Sequence, residues 1–215
     1  MDDSDRGLYV GSEIGKLRRV LLHRPGLELL RLTIDNKDEL LFDDILWVEE
    51  AQKEHDAFAD LLRDNGIEVV YFRNCLAHVL KDEEVRRDLL SEALALEALD
   101  HQLKEALMGA LFEMPPADLS EILVAGMTVS EAREIAGNVK SLCMLASDDT
   151  DFLIKPIPNI LFQRDPFSFV KDGVIISVMR FDARRKAKGE VSAANEAGDV
   201  AAEPDMFGNA GVAAE

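Results

Sequence analysis

The segment Pro158-Asn159-Ile160-Leu161-Phe162-Gln163-Arg164-Asp165-Pro166 sets an amide, an aromatic ring, a cation and a carboxylate between two prolines. Its apolar residues predict a buried strand, and polar groups at the end of such a strand are costly to bury unless they are paired. They pair with one another or with a ligand. An Arg164–Asp165 ion pair fixing a turn is the plain alternative. Neighbours on a strand point to opposite faces, however, which places these two poorly for each other. A second concentration of charge is Asp38, Glu39, Asp43 and Asp44, four carboxylates in seven residues. Paired carboxylates can serve acid/base chemistry, but acids ahead of a helix also cap it and suit its positive end, so capping is the default.

Thiols and imidazoles offer less. The only cysteines, Cys75 and Cys143, form no C-x-x-C pair, which fits a reducing compartment and provides no disulfide framework. Both are expected to be buried, inert thiols. His23, His55, His78 and His101 are scattered, with no two at a metal-ligand spacing on one helix face, so no metal site is expected.

The elements that must position these residues follow from pattern. Leu17 to His23 predicts a strand closed by Arg24-Pro25-Gly26. After a loop to about Leu41, a helix capped by Asp43 or Asp44 is expected, with Ile45, Val48, Ala51, Phe58, Leu61 and Leu62 at helical spacing. Asn65-Gly66 ends it, and Ile67 to Phe72 predicts a second strand, completing an α/β unit. From Lys81 to Val139 the sequence predicts three or four helices, with Thr128-x-x-Glu131 as a capping box and Leu94, Ala98, Leu103, Leu107 and Leu111 as a bundle core. Strands return at Phe152-Leu153-Ile154 and Val174 to Val178, the latter after the turn-prone Lys171-Asp172-Gly173.

The 215 residues suffice for one well-buried core, although the Leu- and Ala-rich middle need not share the core of the ends. The expected division is a first α/β unit over 1–80, a helical insertion over 81–140, a continuation of the α/β part over 141–188, and a tail over 189–215. That tail has no basic residue and Phe207 as its one aromatic, so it is expected to be disordered. The formal charge of −18, from 42 acidic against 24 basic side chains, repels phosphate backbones and anionic headgroups. Neither nucleic acid nor a membrane is expected as a partner. The acidic start at Met1-Asp2-Asp3 does not fit a signal peptide, so a cytoplasmic location is expected.

Ser12-Glu13-Ile14-Gly15-Lys16-Leu17-Arg18, His23-Arg24-Pro25-Gly26, Asn36 through Val48 and Pro158-Asn159-x-x-Phe162-x-Arg164-Asp165 together resemble the arginine deiminase family. The resemblance runs from about residue 10 to 185, with LLFDD and FxRDP as its strongest motifs. It implies a partial five-bladed α/β propeller, of the pentein type, interrupted by the helical insertion. It further implies hydrolysis of L-arginine to L-citrulline and ammonia through a cysteine thiouronium intermediate, with no metal or organic cofactor. By motif, Asp165 is expected to take the substrate guanidinium in a two-bond fork. Asn159 and Phe162 are expected around the amino-acid end, Leu41 over the pocket, and Arg184 on the α-carboxylate. Asp43 and Asp44 are expected to hold the loop that bears Leu41.

The sequence departs from that family in lacking the segment with the nucleophilic cysteine, the base histidine and further substrate-binding side chains. Neither Cys75 nor Cys143 matches the nucleophile's motif. A truncated chain, inactive alone, is therefore expected. The alternative is a non-catalytic arginine-binding or interaction module that assembles with a separate C-terminal half. Self-association or such pairing is expected, because a cut propeller exposes apolar faces and a sheet edge. A related agmatine deiminase or amidinotransferase fits less well, since LLFDD and the helical insertion argue against it and Arg184 calls for a substrate that keeps its α-carboxylate.

Overall fold

The computed structural model describes residues 9–137, 139–164, 166–171 and 173–176. Asp165, Arg184 and the acidic tail lie outside the described residues. The first expected strand forms over Arg19–Leu22 (β1), and a four-residue helix, Leu27–Leu30 (α1), follows Pro25-Gly26. The long helix spans Val48–Asp64 (α2) and the next strand Glu68–Tyr71 (β2). β1 and β2 pair in parallel, Arg19 beside Glu68 and Leu22 beside Tyr71, so α2 is the crossover that a parallel pair requires. Phe72, expected at the strand's end, instead opens helix Phe72–Val79 (α3).

Asp43 and Asp44 do not cap α2. The helix starts at Val48 with Trp47 at the cap position and no side-chain cap, because residues up to 42 are committed to a separate turn and Asp44 Oδ1 accepts from the Ile45 amide at 2.8 Å. Glu49 and Glu50 are the acids of its first turn. At the other end Gly66 takes φ +74°, its amide bonds to Arg63 O at 2.8 Å, and the Ile67 amide reaches Leu62 O at 3.1 Å. This is a Schellman stop with glycine at its left-handed position. The inward stripe of α2 runs through Val48, Ala51, Gln52, His55, Ala59 and Leu62, so Phe58 and Leu61, expected on the apolar face, stand half-exposed or more.

Four helices occupy the Leu- and Ala-rich stretch: Glu83–Ala95 (α4), His101–Phe112 (α5), Pro116–Ala125 (α6) and Val129–Ala136 (α7). Asp82 and Asp100 cap the first two by accepting from first-turn amides, and Pro116 sits where the missing N–H costs nothing. The Thr128/Glu131 capping box forms, with the Thr128 amide donating to Glu131 Oε2 at 2.8 Å. Leu94, Leu103, Leu107 and Leu111 are buried, whereas Ala98 is exposed because it lies in the link between α4 and α5 rather than on a helix.

A short strand, Met127–Thr128 (β3), pairs antiparallel with Phe152–Ile154 (β4), and helix Leu142–Ala146 (α8) lies between them in sequence. Pro158–Leu161 is a turn of 3₁₀ helix, not the buried strand expected there. Pro158 pre-sets its first φ, which suits a helical start and suits a central strand poorly. Phe167–Val170 (β5) and Gly173–Ile176 (β6) make a hairpin, with Lys171 at φ 55° as the favoured two-residue turns require. Val10 bonds to Lys171 in both directions at 2.8 Å, joining the N-terminal segment to the hairpin.

The middle of the chain shares the core of the α/β parts. One continuous apolar cluster includes Phe72 and Leu76 of α3, Leu107 of α5, Leu123 of α6, Ile154 of β4 and Ile160 of the 3₁₀ turn. Each such side chain fully removed from water contributes about 1.5–3 kcal/mol, so packing outweighs helix propensity here. A smaller cluster joins Leu29, Leu32, Leu40, Phe42 and Val48, with Leu161 against it. Among the described residues no helix is long and apolar enough to cross a membrane, and no three His, Cys, Asp or Glu side chains group to hold a metal ion.

Gly126 ends α6 at φ +76°, and a Cβ there would stand 2.4 Å from Ile154 O. Gly126→Ala combines left-handed strain with a backbone overlap and is expected to destabilise the protein by about 2–4 kcal/mol in urea unfolding. A loss below about 1 kcal/mol would show that β4 can yield at this contact.

Candidate functional site

The loop between α1 and α2 is built from its own polar residues. Thr33 and Asn36 bond reciprocally, the Thr33 amide to Asn36 Oδ1 at 2.8 Å and the Asn36 amide to Thr33 Oγ1 at 3.3 Å. The Lys37 amide then meets Thr33 O, and the Leu40 amide meets Asn36 O, both at 3.0 Å. The turn closes with the Leu41 amide on Asp38 O at 3.2 Å and the Phe42 amide on Lys37 O at 2.9 Å. These two bonds are a second Schellman stop, and Leu41 holds its left-handed position at φ 63°. A leucine there is strained by about 1–2 kcal/mol relative to an ordinary conformation. Strain of this kind persists only where surrounding contacts over-determine it.

Those contacts come from the 155–162 segment. Asn159, 4% exposed, donates through Nδ2 to Leu40 O at 2.7 Å, so the residue beside the strained position is tied to the 3₁₀ turn. Phe42 and Phe162 stack with ring centroids 6.2 Å apart, Leu161 packs on the small apolar cluster, and Lys155 pairs with Glu39. Leu40 O can only accept, so the amide nitrogen of Asn159 must face it and its oxygen must face elsewhere. That oxygen is buried and has no hydrogen-bond partner among the described residues. Nearby in sequence, the buried Gln163 Oε1 also lacks one, while Gln163 Nε2 donates to Ile160 O at 2.5 Å. Buried acceptors left open are exceptions that call for an explanation, and a bound donor is one.

The structure therefore brings Leu41, Asn159 and Phe162 to one junction, where Leu41 is partly buried and Phe162 is 46% exposed. Asp43 and Asp44 lie on the same loop with exposed side chains. Asp43 contributes through its carbonyl, which accepts from Lys37 Nζ at 2.9 Å, and Asp44 through the turn at Ile45. Asp38 pairs with Lys37 at 2.7 Å, so the acidic cluster is spent on ion pairs and loop bonds rather than on a helix cap. The Arg164 guanidinium pairs with Glu13 at 2.5 Å, while its expected partner Asp165 lies outside the described residues. Pattern reasoning missed Leu40, Phe42 and the Glu39–Lys155 pair as parts of the junction. No local signal marks a carbonyl or an ion pair whose partner lies more than a hundred residues away.

Cys75 sits on α3, partly buried against the main core, and burial pushes its thiol pKa up. A thiol that resists ionisation is a poor nucleophile. Cys143, on α8, donates to Ala98 O at 3.4 Å.

Fold and site together describe a mixed α/β protein in which a strained loop is clamped to a short, largely apolar 3₁₀ turn through the buried Asn159. A model of the arginine deiminase family matches residues 38–193, which includes both parts of the clamp. The arginine deiminase of Rhodococcus jostii (strain RHA1) is 44% identical over 178 residues, covering 82% of this chain and 44% of that protein. The arginine deiminase of Pediococcus pentosaceus is 40% identical over 182 residues, covering 83% and 44%, and that of Streptococcus pneumoniae (strain Hungary19A-6) is 42% identical over 185, covering 85% and 45%. The chain belongs to the arginine deiminase family. It spans less than half the length of these relatives.

Asn159→Ala leaves the buried Leu40 carbonyl without its donor and is expected to cost about 1–3 kcal/mol of stability by urea unfolding. An unchanged midpoint would mean that the clamp does not rest on this bond. For Cys75 the sign follows from burial: the folded state holds fewer thiolates at a given pH than the unfolded chain. Alkylation of Cys75 by iodoacetamide, followed by peptide mass spectrometry, should therefore rise at higher pH in native protein than in urea. Coincident profiles would contradict a buried thiol.

Proposed function

We propose that this chain is the arginine-seating part of an arginine deiminase. Asp165 accepts two N–H bonds from the substrate guanidinium, and Arg184 pairs with the α-carboxylate. Leu41, Asn159 and Phe162 enclose the remainder of L-arginine, with Asp43 and Asp44 holding the loop. The observation that carries this reading is that the family match, residues 38–193, spans every one of these positions. Two features of the geometry support it. The open Asn159 oxygen suits an ammonium donor, which the α-amino group of arginine supplies. The strained Leu41 turn is also the kind of backbone that function, rather than stability, retains.

The reaction is hydrolytic and needs neither metal nor organic cofactor. A cysteine thiolate attacks the guanidinium carbon, the tetrahedral adduct expels ammonia, and the resulting thiouronium is attacked by water. Cleavage of the C–S bond releases L-citrulline and returns the thiolate. Asp165 contributes by fixing the carbon along the line of attack, and that orientation is worth several kcal/mol in enzymes of this kind. Neither cysteine of this sequence suits the role, Cys75 because burial disfavours its thiolate. The thiol and the base that activates water come from sequence other than these 215 residues.

In the complete assembly, residues 1–80 and 141–188 furnish parts of a five-bladed α/β propeller and 81–140 an inserted bundle, in a cytoplasmic enzyme of arginine catabolism. Pairing with the complementary segment is supported by the half-exposed Phe58, Leu61 and Trp47 and by the two-stranded β1–β2 sheet. Parallel strands are ordinarily covered on both faces, and here β1 is exposed at its first residue and only partly buried beyond it.

The test is citrulline release from L-arginine. The chain alone is expected to release none, and mixing it with the separately produced remainder of the Rhodococcus jostii relative is expected to restore turnover. Asp165→Ala should abolish the restored activity. Citrulline made by the chain alone, and lost in a Cys75→Ala/Cys143→Ala double variant, would overturn the assignment of the nucleophile. A complex that forms but turns over nothing would overturn the arginine-seating role.

A further inference from the structure

Arg31 stands at the end of α1, where the chain enters the Leu41 loop. Its side chain is 11% exposed and reaches three acceptors that lie 94 to 100 residues along the sequence. Nη1 donates to Ala125 O at 2.7 Å and to Gly126 O at 2.6 Å, and Nη2 donates to Glu131 Oε1. Two of these acceptors are carbonyls at the negative end of α6, where a cation is favoured. The third is the carboxylate that, through its other oxygen, completes the capping box of α7. The ring of Phe152 in β4 lies 5.8 Å from the guanidinium carbon.

The same residue organises the loop from its backbone. Arg31 O accepts from Asn36 Nδ2 at 2.9 Å, and Asn36 in turn holds the Thr33 amide through its side chain and the Leu40 amide through its carbonyl. One residue therefore joins the α6–α7 corner to the turn that forces Leu41 into its left-handed conformation. Lysine cannot replace it, since a point ammonium on a flexible stem does not match a planar fork reaching several fixed acceptors.

We propose that Arg31 is a positioning residue through which the α6–α7 corner, with Glu131 as its charged partner, sets the pose of the Leu41 loop. The ligand-related part of this inference rests on the arginine-seating reading; the mechanical part stands without it. A purely structural ion pair would stabilise the whole molecule alike, whereas a positioning joint acts on the loop alone.

Hydrogen exchange on the full chain separates the two. Glu131→Gln is the informative variant, because glutamine also completes a capping box and so preserves the start of α7 while removing the charge. It is expected to speed exchange of the Leu40 and Phe42 amides at least tenfold and to leave amides of Leu62 in α2 and Leu107 in α5 unchanged. Arg31→Lys should do the same, and Trp47, the sole tryptophan, at the loop's far end, should report the change in its emission. Unchanged loop exchange, or equal acceleration in the loop, α2 and α5, would overturn the proposal. Where the wild-type chain binds L-arginine, both variants should raise Kd at least fivefold, and faster loop exchange at unaltered Kd would overturn the link to the site. A wild-type chain that fails to bind arginine counts against the seating role, while the exchange pattern still decides the joint.

Discussion

The conformation of Leu41 is the constraint from which the arrangement of the candidate site follows. Among the described residues the same Schellman geometry occurs at Gly66 and at Leu41. At Gly66 nothing crowds the position and glycine takes the left-handed φ freely, so that turn needs no help. At Leu41 the residue type opposes the geometry, and the turn must be held from outside. The bond from Asn159 to Leu40 O, the Phe42–Phe162 stack, the Glu39–Lys155 pair and the Leu161 contact together supply that hold. Loop and turn thus become one unit although more than a hundred residues separate them.

That unit in turn depends on the position of the 3₁₀ segment, which the main core decides. Ile157 and Ile160 are buried in the same cluster as Leu107 and Leu123, so the helices from α3 to α7 fix where Asn159 sits. The Ile157 amide bonding to Val124 O at 2.9 Å, and the close approach of Gly126 to Ile154 O, make the same join through the backbone. The helical stretch is therefore a support of the junction, and Arg31 brings it to the loop from the other side.

Elements with strong local patterns were legible. β1, β2 and β4, the capping box at Thr128, the four helices of the middle stretch and the stop at Gly66 all follow from periodicity, capping residues and glycine. Three of the expectations that failed show why local pattern falls short. The α2 start moved to Val48 because Asp43 and Asp44 belong to a loop whose bonds are satisfied elsewhere. Residues 158–161 became a 3₁₀ turn because apolar runs of four fit either conformation and Pro158 favours the helical one. Phe58 and Leu61 turned outward because the inward stripe of α2 follows the buried Val48 and Ala59 and the partly buried His55.

The sequence by itself determined the family, since ordered motifs such as LLFDD and FxRDP survive without any geometry, and through that resemblance it singled out Leu41, Asn159 and Phe162, which the structure brings to one junction. Only the tertiary structure decided that Leu41 is strained, that Asn159 holds the loop through Leu40 O with its oxygen left open, and that Arg31 ties the loop to α6 and α7. The reason is range. Periodicity, caps and turns are local interactions that the chain encodes within a few residues, whereas backbone strain and buried polar pairing depend on partners brought near only when the core closes.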